Sequence, residues 1–161
     1  MQYLIALGSN RRHQRFGDPR KVLAAALTAL AGHGIRVAQA APVIASAPIG
    51  PSLRRYANSA AVIETALAPD ELLDVLKQVE RAFGRTRGGQ RWAARVLDLD
   101  IVLWGGRAWS SPGLTVPHIA FRTREFVLGP AVAIAPHWRD PLSGLTLRQL
   151  AGRLSRKRPG K

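Results

Sequence analysis

Asp98-Leu99-Asp100 is the sharpest chemical signal in the chain. On a strand, residues two apart point the same way, so both carboxylates can approach one cation from one side. Magnesium suits such a pair, because it takes oxygen ligands in near-octahedral geometry and commonly uses one or two carboxylates while substrate phosphates and water complete the shell. An isolated Asp-x-Asp is more often the solvated face of a strand. The stretch just upstream changes that reading: Arg85, Arg87, Arg91 and Arg95 are four arginines within eleven residues, with no acid among them. Guanidinium forks pair with phosphate oxygens through two-pronged hydrogen bonds and stabilise charge where a phosphoryl group moves. Alone, the cluster fits a nucleic-acid patch or a solvated loop; beside a magnesium site, phosphoryl chemistry becomes competitive.

The sequence has neither a Gly-x-x-x-x-Gly-Lys-Ser/Thr run nor a Gly-x-Gly-x-x-Gly run after a strand, so side chains would have to hold a triphosphate. His118, after Pro117, is equally suited to donate to a phosphate or to serve as a satisfied structural histidine. Tyr56, Trp92 and Phe126 can stack on a flat heterocycle, although a lone aromatic is usually core. Asn58, set among small residues, can read a heterocycle edge through its amide.

These residues need a scaffold, and 161 residues fit one ordinary domain. The apolar share of 47% is enough for a packed core, while a charged share of 21% argues against disorder of the whole chain. No apolar run is long enough to span a bilayer and residues 1–8 do not read as a signal peptide, so a soluble cytoplasmic protein without membrane contact is expected. The lack of cysteine excludes disulfides and thiolate metal sites and fits a reducing compartment. The net charge of +14 implies an anionic partner, be it nucleic acid, a phosphate-rich metabolite or a membrane surface, or else only a biased composition.

Hydrophobic spacing predicts a short buried strand over 3–7 that breaks at Gly8-Ser9-Asn10, a turn-rich triplet suited to close approach of a ligand or another backbone, and then a basic loop. Asp18-Pro19 has the form of an N-cap and first-turn proline, opening a helix to Gly32. Strands are expected over 35–46 and 57–67, joined by a loop around Pro48-Ile49-Gly50-Pro51. A second helix starts at Pro69-Asp70-Glu71, places Leu72, Leu76, Val79 and Phe83 on one face, and closes at Gly84. Residues 85–92 read as an exposed loop. Residues 95–104 alternate as a strand with Leu97, Leu99, Ile101 and Leu103 on one face and Val96, Asp98, Asp100 and Val102 on the other. Residues 115–118 are extended, a short helix over 121–128 stops before Gly129-Pro130, and a last helix covers 145–154. The reading is one domain over 1–154 with a basic disordered tail over 155–161, folded as an α+β sandwich on a largely antiparallel sheet.

The motifs, taken together, resemble those of the 6-hydroxymethyl-7,8-dihydropterin pyrophosphokinase family over nearly the whole chain. Ala6-Leu7-Gly8-Ser9-Asn10 is similar to the family's opening strand and turn. Gly84-Arg85 through Arg91-Trp92, with Arg95-Val96-Leu97-Asp98-Leu99-Asp100-Ile101, resembles its signature, and Leu114-Thr115-Val116-Pro117-His118 with Arg124-Glu125-Phe126-Val127-Leu128 resembles its later block. The basic loop over 11–17 is longer than is usual there.

The resemblance implies a ferredoxin-like three-layer α/β/α fold with a mainly antiparallel sheet, and transfer of pyrophosphate from ATP to the pterin hydroxyl in folate biosynthesis, giving the pterin diphosphate and AMP. It implies that Asp98 and Asp100 hold two magnesium ions, with Asp98 also near the pterin hydroxymethyl group, and that Arg85 and Arg95 serve the transferred phosphates. Glu80, Arg87, Arg91, Trp92, Ile101, Thr115, His118 and Arg124 match ATP-site and loop-closing positions. Tyr56 and Phe126 would sandwich the pterin, Asn58 would bind its polar edge, and Ser46, Ala47, Pro48 and Ile49 would line the pocket largely through backbone. A monomer using only small-molecule substrates, with no nucleic acid, is expected. The alternative, a basic nucleic-acid-binding module, explains only the charge and predicts affinity that falls steeply with salt.

Overall fold

A computed structural model of the chain describes residues 1–46, 56–84 and 96–157. The first strand, β1, spans Gln2–Ser9, so it runs through Gly8 instead of breaking there. The reason is pairing: Gly8 lies opposite Asn58 on one side and Asp98 on the other, and a doubly paired backbone needs no side chain to stay extended. Helix α1 (Pro19–Ala31) begins as its sequence indicates, with Asp18 accepting from the Lys21 N–H at 3.1 Å, and ends at Gly32.

The single strand expected over 35–46 is two, β2 (Arg36–Ala40) and β3 (Ile44–Ser46), both antiparallel to β4 (Tyr56–Glu64). Pro42 lies in the gap and has no N–H to give to a ladder. The ladder is bridged there by the Ala41 N–H on Ala60 O and the Ser59 hydroxyl on Ala41 O, each at 2.8 Å. Helix α2 (Pro69–Ala82) opens with Glu71 accepting from the Ala68 N–H at 2.8 Å, and Gly84 leaves it at φ +105°.

Strand β5 (Asp98–Leu103) completes a sheet ordered β2-β4-β1-β5, with β3 beside the other end of β4 and every pairing antiparallel. With β2 and β3 counted as one interrupted strand, both pairing with β4, the chain order to this point is the ferredoxin-like β-α-β-β-α-β unit. Helices α1 and α2 pack with Leu7, Ile63, Leu99 and Ile101 on one face. The other face packs Leu4, Ala60, Val62 and Val102 under two later helices, giving the three layers expected. The alternation read for β5 fails at one residue. Leu4 pairs with Leu103 but Ile5 with Ile101, and this bulge turns Leu103 onto the same face as Val102.

The segment after β5 holds a hairpin that spacing did not reveal, β6 (Trp109–Ser111) with β7 (Leu114–Val116), turned by Pro112 and by Gly113 at φ +89°. The bond from Val116 to Pro117 is cis. A 3-10 turn (Phe121–Thr123) leads into α3 (Glu125–Ile134), which continues through Gly129 and Pro130 where a stop was expected. Pro130 is buried with Val127, Leu128 and Ala131, so core contacts outweigh the lost helical hydrogen bond. Helix α4 (Leu147–Arg156) starts on a Thr146/Gln149 capping box and carries Ser155 and Arg156, two residues expected in the tail; 158–161 lie outside the described residues.

The basic loop after β1 is folded onto the end of α2. His13 and Gly17 exchange backbone hydrogen bonds at 2.8 and 2.9 Å, and His13 Nδ1 accepts from the Arg15 N–H at 3.0 Å. The rings of His13 and Phe16 rest against Phe83, with the two phenyl rings stacked 4.8 Å apart. Among the described residues no helix is long and apolar enough to cross a membrane.

An ion pair between the half-buried Arg122 and the buried Asp140 braces the 3-10 turn. Arg122 donates to both oxygens of Asp140 at 2.6 and 2.7 Å, and the Ser143 hydroxyl and Leu142 N–H add bonds at 2.7 and 3.0 Å. Burial pushes the Asp140 carboxyl upward, but these donors overcome it and hold the group down at about 2. A carboxylate depressed in the folded state contributes stability that is full above its unfolded value and is lost as pH falls through the folded one. Asp140→Asn should therefore cost about 2 kcal/mol at neutral pH. In urea melts that difference should shrink between about pH 4 and pH 2. A pH-independent difference would contradict this role.

Candidate active site

Three adjacent strands bring the polar residues together. Gly8 on β1 is flanked directly by Asn58 on β4 and Asp98 on β5, and Ala6 likewise by Ala60 and Asp100. All face the α3 and α4 side, where the apolar packing of Leu4, Val62 and Val102 stops and polar groups begin. Asn58 and Asp98 are two strand spacings apart, roughly 10 Å between backbones, with only glycine between them. The floor is thus bare backbone between an amide and a carboxylate.

Asn58 is buried, and the Ser46 hydroxyl donates to its Oδ1 across the β3–β4 ladder. That bond leaves the amide nitrogen as the donor turned over Gly8, where a Cβ would lie 3.3 Å from Asn58 Nδ2 and 3.7 Å from Tyr56 Cδ1. Tyr56, two residues before Asn58, shares its face. Phe126 is half-buried against the second core, and the Arg124 guanidinium lies 5.7 Å from its ring centroid. Ser46 therefore does more than offer backbone, because its hydroxyl sets the amide that sequence alone could only name.

His118 is half-buried, with its N–H on Val102 O at 3.0 Å and its Nδ1 accepting from the Ala120 N–H at 3.1 Å. Burial lowers its affinity for a proton, Asp100 opposes that, and Arg124 reinforces it, with the net shift downward. With Nδ1 used as an acceptor, the neutral ring carries its proton on Nε2 and can donate from there. Thr115 is exposed on β7. Ile101 is 2% exposed in the first core, on the opposite face from the aspartates, so only its main chain is available to a ligand. Glu80 is 4% exposed, and its Oε1 accepts from the Leu99 N–H at 2.8 Å. Ala47, Pro48 and Ile49, and Arg85, Arg87, Arg91, Trp92 and Arg95, lie outside the described residues.

Asp98 is half-buried and Asp100 exposed, both on one side of β5. Among the described residues no group of three or more His, Cys, Asp or Glu side chains converges on one point. Two carboxylates on one side of a strand, one half-buried and one exposed, fit magnesium that also takes phosphate and water oxygens, and do not fit a closed structural site.

Gly8 was expected in a turn suited to close approach of a ligand or another backbone; it lies instead within β1, with another backbone paired on each side. Its φ is not positive, so its backbone accepts alanine without strain, and the added methyl would crowd the Asn58 amide and the Tyr56 ring. Gly8→Ala should weaken binding of a pterin about tenfold, equivalent to about 1.4 kcal/mol, and leave magnesium-nucleotide binding within about twofold. Fluorescence titration of the pterin and calorimetry of the nucleotide measure the two separately. Unaltered pterin affinity would contradict the bare-floor reading.

The chain as a whole is similar to known proteins. The family model described as 7,8-dihydro-6-hydroxymethylpterin-pyrophosphokinase (HPPK) matches residues 4–136. A 2-amino-4-hydroxy-6-hydroxymethyldihydropteridine pyrophosphokinase of Pseudomonas aeruginosa is 40% identical over 139 residues, covering 85% of this chain and 82% of that protein. One of Methylorubrum extorquens is 36% identical over 152 residues, covering 93% and 91%. One of Synechocystis is 40% identical over 117 residues, covering 73% of this chain and 60% of that protein. Among solved structures, Plasmodium falciparum HPPK-DHPS superposes with a TM-score of 0.71 at 11% identity, over 94% of this chain and 40% of that longer one, which shows the shared fold. The chain belongs to the 7,8-dihydro-6-hydroxymethylpterin-pyrophosphokinase family.

Proposed function

We propose that the chain transfers pyrophosphate from ATP to 6-hydroxymethyl-7,8-dihydropterin, the folate-biosynthesis activity for which its family and relatives are named. The observation that supports it best is the row Asn58–Gly8–Asp98, which sets an amide suited to a heterocycle edge and a carboxylate suited to a cation on either side of bare glycine backbone. The basic nucleic-acid module weighed from charge alone gains no support from these matches.

The ring lies over Gly8 between Tyr56 and Phe126, its polar edge taking the Asn58 N–H and its hydroxymethyl group directed toward Asp98. The hydroxyl oxygen bonds to the β-phosphorus as the bond from that phosphorus to the bridging α-β oxygen breaks, so AMP leaves and the hydroxyl proton passes to solvent. Asp98 and Asp100 would hold two magnesium ions, which would supply charge neutralisation and orientation of the triphosphate. Neutral His118 donates from Nε2 to a phosphate oxygen, and Arg124, beside Phe126, adds positive charge at the rim. Arg85 and Arg95 serve the transferred phosphates; Arg87, Arg91, Trp92, Thr115 and the Ile101 main chain serve the nucleotide; and Ala47, Pro48 and Ile49 line the pterin pocket. The enzyme acts as a monomer in the cytoplasm.

Nucleotide analysis after incubation with ATP, magnesium and the reduced pterin tests the reaction: AMP with pterin diphosphate is expected, while ADP or no turnover would contradict it. Asp98→Asn and Asp100→Asn keep volume but remove charge. Each should lower turnover roughly a hundredfold, about 3 kcal/mol of transition-state stabilisation, with a smaller effect on pterin affinity in the presence of nucleotide. Two fully active variants would remove the metal site from the mechanism.

A further inference from the structure

Glu80 occupies a position that an apolar side chain would normally fill. On α2 it continues the buried stripe of Leu72, Leu76 and Val79 and is 4% exposed. A carboxylate there is costly to bury unless it accepts hydrogen bonds. Its Oε1 takes one at 2.8 Å from the N–H of Leu99, nineteen residues along the chain. Leu99 is the residue between Asp98 and Asp100, and among the described residues β5 is the end strand of the sheet, with a ladder only to β1. The Leu99 side chain is held among α1 and α2 residues while its backbone N–H is held by α2 itself.

We propose that Glu80 is a positioning residue for the aspartate pair: it fastens the backbone of an end strand at the residue between the two carboxylates, so that both keep their spacing and direction when cation and triphosphate arrive. This rests on the proposed reaction and deepens it. A role as a nucleotide contact alone would leave the Leu99 bond incidental. The positioning role makes it the working interaction, because a strand paired on one side only can shift or fray where a doubly paired one cannot.

Two readouts test this, and only one depends on catalysis. Exchange of the Leu99 amide proton, followed by NMR on the protein without ligands, should be about tenfold faster in Glu80→Ala, with the Leu4 and Ile63 amides little changed. In the reaction with ATP and pterin, Glu80→Ala should need several-fold more magnesium for half-maximal rate, and turnover should be down at least about tenfold even at saturating ATP. Glu80→Gln retains an acceptor oxygen, so it should restore Leu99 protection and recover most of the lost turnover. If Glu80→Ala does not fold, Glu80→Leu fills the buried volume without an acceptor and takes its place. Leu99 exchange unaffected by loss of the acceptor, or Gln no better than Ala, would overturn the proposal. A wild-type protein that makes no AMP would defeat the reaction itself, and the exchange measurement would still decide whether Glu80 holds the strand.

Discussion

The antiparallel pairing of β1 with both β4 and β5 is the constraint from which the rest of the site follows. Side chains on a strand alternate faces, so a slip of one residue in either ladder would turn Asn58 or Asp98 into the opposite core. The observed register sends both to the same face and puts the one residue without a side chain between them. The same register buries Leu99 and Ile101 against α1 and α2, so the packing that stabilises the sheet also selects the direction of the two aspartates. Stability and site geometry are two results of one alignment.

The two faces of the sheet are used differently. One is apolar along its length beneath α1 and α2. The other is apolar only where α3 and α4 cover it, and past that cover it turns polar. Several contacts tie the cleft to rigid elements. His118 is fastened to β5 through Val102 O, Asn58 to β3 through Ser46, and the 3-10 turn before Arg124 to the last part of the domain through Arg122 and Asp140. A site whose first-contact groups are held in this way loses little order when ligands bind, which favours preorganised electrostatic stabilisation.

Much of this was legible in the sequence. Asp18-Pro19 and Pro69-Asp70-Glu71 announced two helices because capping chemistry is local. Asp98 and Asp100 could be read as sharing one side of a strand because their spacing sets their direction once the strand is granted, and β5 places them so. What stayed hidden depends on partners distant in sequence. Close approach at Gly8 could be read from its lack of a side chain, but its place inside a doubly paired strand could not, and Leu103 looks like a core residue of the first face until the bulge is seen. Pro130 looks like a helix stop, but burial against Val127 and Leu128 overrides it. Ile101 was matched to a nucleotide position by motif, yet its side chain belongs to the core; Glu80 carried a signal of its own, an acid at an apolar-stripe position. The Arg122–Asp140 pair joins residues eighteen apart through a fold that no local pattern encodes.

The register sets Asn58 and Asp98 on either side of Gly8, and paramagnetic relaxation tests directly the proposal that a pterin lies between them. Manganese in place of magnesium, with a non-hydrolysable ATP analogue and bound pterin, should relax the pterin hydroxymethyl protons strongly. The effect should be much weaker on a label at the far, Asn58-facing edge of the ring, and it should fall in Asp98→Asn while pterin remains bound. Equal relaxation at both ends of the ring, or none at either in the wild-type complex, would show that the metal and the pterin do not share this cleft.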